Sequence, residues 1–335
     1  MHSAATLTFG GRYFVLVTVC WCLALPVLAN AQGSPGQDAV YNSISGIVGS
    51  SSFIDASTFG GIHVDICAVL YGILSSASTT YPSSGAVIDA RGLPGTTGTK
   101  MTCAAGTTPW NNGATFVNVP STILLPATGG TTPTPIIISS PWILPSNTHL
   151  IGEGDGTSGG STSGTTIQAR SGFSGTMIQF GSSSPVCPTT GCSGISVENL
   201  TLDGQGPLGQ TVNGIANAYS QDGSYVDHVS LYQILGTGLA VSGIASNSGP
   251  YSNLTFDTGG SSGLPGTVCA SINGVGGTHG IHGLSCNSET NDANGAVLLD
   301  SSNNSIEDVR IVGFYDVWSR MYYRRKLGLL LASQG

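Results

Sequence analysis

The chain has 335 residues, a formal net charge of −8 and a pI of about 4.9. That balance argues against nucleic acid as a partner, which needs a basic stripe, and an acidic surface repels polyuronates unless a cation bridges the two. Only 8% of residues are charged and 50 are glycine, yet 40% are apolar and fall in short runs, so the sequence calls for a core assembled from short strands and not for wholesale disorder.

Residues 1–31 read as a secretory signal peptide. Arg12 supplies the basic region, Tyr13 to Leu28 the apolar stretch, and Ala29-Asn30-Ala31 the small-x-small cleavage pattern. A membrane anchor is the competing reading, but the stretch is short for a span and Pro26 lies near its end. Cleavage after Ala31 places the protein outside the cytoplasm, secreted or held in the periplasm or at the cell surface, with no stable membrane span. It also removes Cys20 and Cys22 and leaves Cys67, Cys103, Cys187, Cys192, Cys269 and Cys286. An even count in an exported chain favours disulfides. Cys187 and Cys192 flank a short turn-rich loop; Cys67 with Cys103 and Cys269 with Cys286 follow from proximity in sequence. Zinc is disfavoured, because no CxxC pair and no clustered His are present.

Residues 32–60 are Gly/Ser-rich and read as a flexible leader. Asp65–Ser76 reads as a helix covering one end of the core: Ile66, Val69, Leu70, Ile73 and Leu74 share one face, and Asp65 is the N-cap. Ala86–Ala90 is the first strand, and residues 92–115 form a Gly/Thr-rich excursion. Thr122–Leu125, Ile136–Ile138, Trp142–Leu144 and His149–Ile151 are short buried strands separated by turn residues. Gly152-Glu153-Gly154-Asp155-Gly156 opens a loop that has neither the helix nor the Lys of a phosphate-binding motif.

The second half repeats. Val197-Glu198-Asn199-Leu200-Thr201-Leu202 aligns with Val226-Asp227-His228-Val229-Ser230-Leu231, with Tyr251 to Phe256, with Ile281 to Cys286 and with Ile306 to Ile311. The third positions are 199, 228, 253, 283 and 308, which are 29, 25, 30 and 25 apart. A period near that length indicates a solenoid. Those positions are Asn, His, Asn, Gly and Asp, the types that tolerate a left-handed backbone, and apolar residues alternate on both sides. Each copy therefore predicts strand, one-residue corner, strand. A further strand lies between copies, at Gly214–Ala218, Gly238–Ser242, Cys269–Asn273 and Gly295–Leu299, giving three strands per turn.

These corner columns, the capping helix, and strings such as Leu150-Ile151-Gly152-Glu153-Gly154 and Val197 to Gly204 resemble the pectate-lyase-like right-handed parallel β-helix superfamily. The fold expected from this is all-β: a right-handed parallel β-helix solenoid over residues 61–314, with a short N-terminal capping helix. Residues 315–335 form an atypical basic and apolar tail, with Arg320, Arg324, Arg325 and Lys326, that lacks the corner column; a truncated end and a C-terminal cap are the two readings. The superfamily includes lyases, hydrolases, epimerases and non-catalytic adhesins, so the resemblance speaks to fold more than to reaction.

Catalytic candidates come from the column before each corner: Glu198, Asp227, Ser252, His282 and Glu307. Glu198 and Asp227 fall on adjacent rungs, close enough to share a cation or to raise one pKa, although a solvated outer edge explains the same charges. Asp203 and Asp257 read as turn residues separated by the rung of Tyr232. His279 and His282 superficially resemble the Gly-His-Gly element of polygalacturonases, whose paired Asp and Arg-x-Lys elements are absent. Arg310 sits on a polar strand face with Thr201, Ser230, Thr255 and Ser285, without the acid cluster of a pectate lyase. Asn199, Asn253 and Asn303 match glycosylation sequons, the first two already explained as corners. The resemblance implies an exported protein that binds or cleaves an extracellular polysaccharide, by lyase or glycoside hydrolase chemistry; a non-catalytic adhesin or surface-binding module is the alternative. Glu198, Asp227 and His282 are the site candidates, no cofactor motif is evident, and Ca2+ is the ion the resemblance allows.

Overall fold

The computed structural model describes residues 52–59, 65–93, 100–128, 134–156, 164–188, 190–259, 267–275, 277–287, 297–300, 304–312 and 329–331. The expected signal peptide lies outside these residues, as does most of the tail. No helix among the described residues is long and apolar enough to cross a membrane.

The protein is a parallel β-helix. Strands β1 (Ser52–Asp55), β2 (Ala86–Asp89), β3 (Ser121–Leu124), β6 (Thr148–Ile151), β9 (Ser196–Asp203), β11 (Tyr225–Tyr232), β13 (Tyr251–Asp257), β15 (Ile281–Asn287) and β17 (Ile306–Val312) pair in that order in one sheet. β4 (Ile136–Ile138) and β7 (Thr166–Ala169) join the same sheet through β9. The second sheet runs β5 (Trp142–Leu144), β8 (Gly175–Phe180), β10 (Val212–Asn217), β12 (Thr237–Val241), β14 (Val268–Asn273), β16 (Val297–Asp300) and β18 (Leu329–Leu331). Among the described residues the named strands all pair in parallel, so each rung lies about 4.8 Å from the next.

The corner column is present. Asn199, His228, Asn253, Gly283 and Asp308 all have φ between 51° and 72°. Each bends its strand without breaking the ladder, so the two strands expected on either side of a corner run as one bent strand. This is why the turns from β9 onward carry two named strands, whereas β6, β7 and β8 make three on the turn before, as expected. The alternation around the corner builds the core: Leu150, Val197, Val226, Tyr251 and Ile281 stack in register before it, and Leu200, Val229, Leu254 and Leu284 after it. All nine side chains are buried. Tyr251 keeps its hydroxyl satisfied inside the core by Asn217 Nδ2 (2.9 Å) and Ser248 Oγ (2.7 Å), and burial pushes its phenol up to about 12.

Helix α1 (Ile66–Thr80) packs against β2 and buries Ile66, Leu70, Ile73, Leu74 and Ala77. The Asp65 carboxylate accepts from the Ala68 N–H at 2.9 Å, as an N-cap should. The helix runs a turn beyond the expected end at Ser76. Ala77 extends the buried stripe, and the hydroxyls of Ser78, Thr79 and Thr80 donate back to the carbonyls of Ser75 and Ser76. Two further expectations change. Ser52–Asp55, inside the stretch read as leader, is a strand registered on Ala86–Asp89, and Leu329–Leu331, inside the atypical tail, pairs with β16. The excursion at 92–115 is anchored: Cys103 bonds to Cys67 on α1, and Trp110 is fully buried with its ring centroid 6.0 Å from that of Trp142. Cys187–Cys192 and Cys269–Cys286 are two further disulfides among the described residues, with Cα separations of 5.0 and 6.1 Å.

The corner backbone sets a measurable cost. Asn199→Val should lower stability by about 1–2 kcal/mol, the cost of forcing a Cβ-branched residue into the left-handed region, whereas Asn199→Gly should cost less than about 1 kcal/mol. Urea denaturation midpoints check this; equal losses in the two variants would contradict it.

Candidate functional site

The rung carrying β6 and β7 is interrupted at the corner. Where β9 turns through the single residue Asn199, the preceding rung inserts the loop that starts at Gly152. That loop is stitched onto β9: Gly152 N–H donates to Glu198 O and Gly154 N–H to Asn199 O, each at 2.9 Å, and Thr201 Oγ1 donates to Gly156 O at 2.9 Å. A Cβ at Gly152 would overlap the Asn199 carbonyl oxygen and crowd Leu200, so glycine is what allows the loop to leave β6 this tightly. Asp155 rides on this loop and is brought within electrostatic reach of Asp227 and His228.

The register places Glu198 directly opposite Asp227, one rung apart, as expected. His282 lies in the same column but two rungs beyond Asp227, with Ser252 between them. Its ring is engaged elsewhere, by the His279 carbonyl at 2.8 Å and by Glu307 at 3.3 Å. Glu198 and Asp227 thus come together, and His282 does not join them.

Asp227 is held as a carboxylate. Its Oδ1 accepts from Ser252 Oγ (2.7 Å) and Asn253 Nδ2 (2.8 Å), and its Oδ2 lies 2.9 Å from His228 Nδ1. Partial burial pushes its pKa up, but the hydrogen bonds from Asn253, Ser252 and His228 outweigh that and the net shift is downward. Asp155 is shifted the opposite way. Burial raises it and the Asp227 charge adds to the rise; its own backbone N–H and His228 oppose without reversing it. The two carboxyls are therefore shifted in opposite directions from the ordinary aspartate value. On the near side of the pair, Glu198 Oε1 accepts from Ser196 Oγ (2.7 Å) and Tyr225 hydroxyl (2.8 Å), and Ser196 Oγ is 2.8 Å from His149 Nδ1. Burial and then the bond to Glu198 raise the Tyr225 phenol.

The column before the corner supplies Glu198 and Asp227; Asp155, Tyr225, Ser196, His149 and Asn253, which are not among the sequence candidates, stand around them. The available signal was the insertion itself: a long Gly/Ser stretch where every later copy has one corner residue. Both Asp227 oxygens and Glu198 Oε1 accept from protein donors. Asp65, Cys67 and Cys103 also bring ligand atoms together, but the two sulfurs form a disulfide. Of the outer-face acids, Asp203 accepts from Gln168 Nε2 (2.8 Å) and Gln205 Nε2 (2.9 Å), and Asp257 from the Gly259 N–H (2.7 Å); the rung of Tyr232 separates them.

No protein-family model and no curated protein matches the chain. Among solved structures it is similar to two mannuronan C-5 epimerase A-modules of Azotobacter vinelandii. The AlgE4 module shares 16% identity at a TM-score of 0.32, over 76% of this chain and 59% of that one. The AlgE6 module shares 14% at 0.32, over 76% and 58%. ORF18 of Geobacillus virus E2 shares 10% at 0.33, over 82% and 62%. The chain spans about three-fifths of the length of each.

The opposed shifts have opposite signs in stability. Asp227, depressed on folding, contributes stability that is present above the ordinary Asp pKa and lost as pH falls through its lower folded value. Asp155, raised on folding, contributes stability that is full below the ordinary value and lost as pH rises through its higher folded one. Denaturation midpoints across the acid range should therefore show Asp227→Asn flattening the acid-side loss and Asp155→Asn flattening the decline on the higher-pH side. The same response from both variants would contradict the assignment.

Proposed function

We propose that this is an exported, carbohydrate-active β-helix protein that hydrolyses an extracellular polysaccharide of neutral sugars, with Asp155 as general acid and Asp227 as the ionised partner. The observation that carries the reading is the opposed bias of these two carboxyls beside one corner of the solenoid. Glycoside hydrolysis asks for that division of labour, one carboxyl protonated and one charged. Asp155 gives its proton to the departing glycosidic oxygen as the C1–O bond breaks, while the Asp227 carboxylate stabilises the positive charge at C1. Water then adds to C1 and returns a proton to Asp155. Exposed His228 and Asn253, beside Asp227, supply polar contacts for sugar hydroxyls.

The net charge of −8, with Asp155, Glu198 and Asp227 clustered at the site, supports a neutral polymer over a polyuronate. The apolar segment ending at Ala29-Asn30-Ala31 and three disulfides support export. Calcium has no step in this scheme.

Reducing-end release from a panel of neutral and acidic polysaccharides tests the proposal. Turnover is expected on a neutral polymer and should be insensitive to a calcium chelator. Asp155→Asn and Asp227→Asn should each lower kcat by roughly 100- to 10,000-fold, the range for losing a positioned acid or base. The rate should peak on the acid side, between the depressed Asp227 and the raised Asp155, and fall as Asp155 loses its proton. Binding to a polymer with no turnover would instead support an adhesin or surface-binding module. Unsaturated uronide products would support a lyase.

A further inference from the structure

Ser196, Glu198, Tyr225 and His149 form a hydrogen-bonded chain across β6, β9 and β11, and the scheme above uses none of its links. Its protons can be counted. Glu198, as a carboxylate, has none to give, and Oε1 lies 2.7 Å from Ser196 Oγ and 2.8 Å from the Tyr225 hydroxyl, so both hydroxyls donate to it. Ser196 is fully buried, and its single hydroxyl proton is spent on Glu198. Turning that proton toward His149 would leave two oxygen acceptors 2.7 Å apart with nothing between them. The remaining contact, His149 Nδ1 to Ser196 Oγ at 2.8 Å, must then be donated by the histidine.

We propose that Ser196 and Glu198 act as positioning residues that hold the neutral His149 ring in its Nδ1–H form, so that Nε2 is presented as a hydrogen-bond acceptor to a sugar hydroxyl. His149 points outward, between the buried Thr148 and Leu150, and among the described residues no hydrogen bond engages its Nε2. It lies two rungs before Asp227 and one column over, so the hydroxyl it takes belongs to a sugar unit beyond the one at Asp227. The substrate class for this position is a unit that offers an O–H there; an ether or a deoxy position offers none. The sugar-binding role rests on the polysaccharide reading given above. The tautomer does not.

Long-range 1H–15N correlation spectra of the full chain, recorded where the His149 ring is neutral, read the tautomer directly. The wild type should show a protonated Nδ1 and an unprotonated Nε2. Glu198→Gln should keep this pattern, because the amide oxygen can still accept from both hydroxyls. Ser196→Ala and Glu198→Ala should relax toward Nε2–H, the first by losing the acceptor and the second by freeing the serine proton to donate to Nδ1. A wild-type ring in the Nε2–H form, or a tautomer unmoved in both alanine variants, would overturn the proposal. Ser196→Ala should also raise KM on a turned-over neutral polymer by roughly three- to tenfold with kcat little changed, as for the loss of one neutral hydrogen bond. An unchanged KM with a relaxed tautomer would remove the sugar-binding role. Absence of turnover in the wild type, with the tautomer pattern intact, would count against the hydrolase reading alone.

Discussion

One backbone constraint organises this molecule: a single residue in the left-handed region, repeated on successive rungs, turns the chain while both flanking segments keep their ladders. Asn199, His228, Asn253, Gly283 and Asp308 occupy that position, and the stacks of Leu, Val and Ile on either side are in register because the corner consumes one residue and no more. A one-residue slip of the second segment would turn its apolar side chains outward. The same geometry fixes the outer face. Residues just before each corner form a column one rung apart, and that column holds Glu198, Asp227, Ser252, His282 and Glu307.

The candidate site arises beside the last rung that lacks this one-residue corner. On the rung before β9 the corner is replaced by a loop, and the loop folds back onto Asn199 and Thr201 through backbone and side-chain hydrogen bonds. That arrangement half-buries Asp155 next to the outer column, where partial desolvation and the charge of Asp227 favour its neutral form. Asp227, two rungs further along, receives three polar partners from its own and the next rung and is favoured as a carboxylate. A solenoid supplies identical environments by repetition, so two acids with unlike environments require a local departure from the repeat.

The repeat itself is legible in the sequence because its physics is local: corner residue types and two-residue alternation leave a mark on consecutive positions, and they recur every 25 to 30 residues. Glu198 opposite Asp227 followed from the alignment for the same reason. The helix end was misplaced because Ser78, Thr79 and Thr80 look like a terminator in sequence, yet bond back to their own helix. Ser52–Asp55 resembled leader because four residues carry too little pattern to reveal a strand that exists only by pairing with β2. Asp155 was hidden among glycines and serines, and nothing short of knowing that the loop lies on Asn199 distinguishes it from a solvated turn acid. His282 is a candidate from its place in the column before the corner, and the structure spends its ring on Glu307 and a backbone carbonyl.

The central claim is that the loop inserted at one corner gives Asp155 and Asp227 opposite protonation preferences at a shared site. Carboxyl 13C chemical shifts of these two residues, followed through an acid titration of the folded chain, test it most directly. Asp155 should titrate above the ordinary aspartate value and Asp227 below it, and the gap should narrow when Gly152→Val pushes the loop off β9. Two ordinary titrations, or the reverse order, would contradict the account.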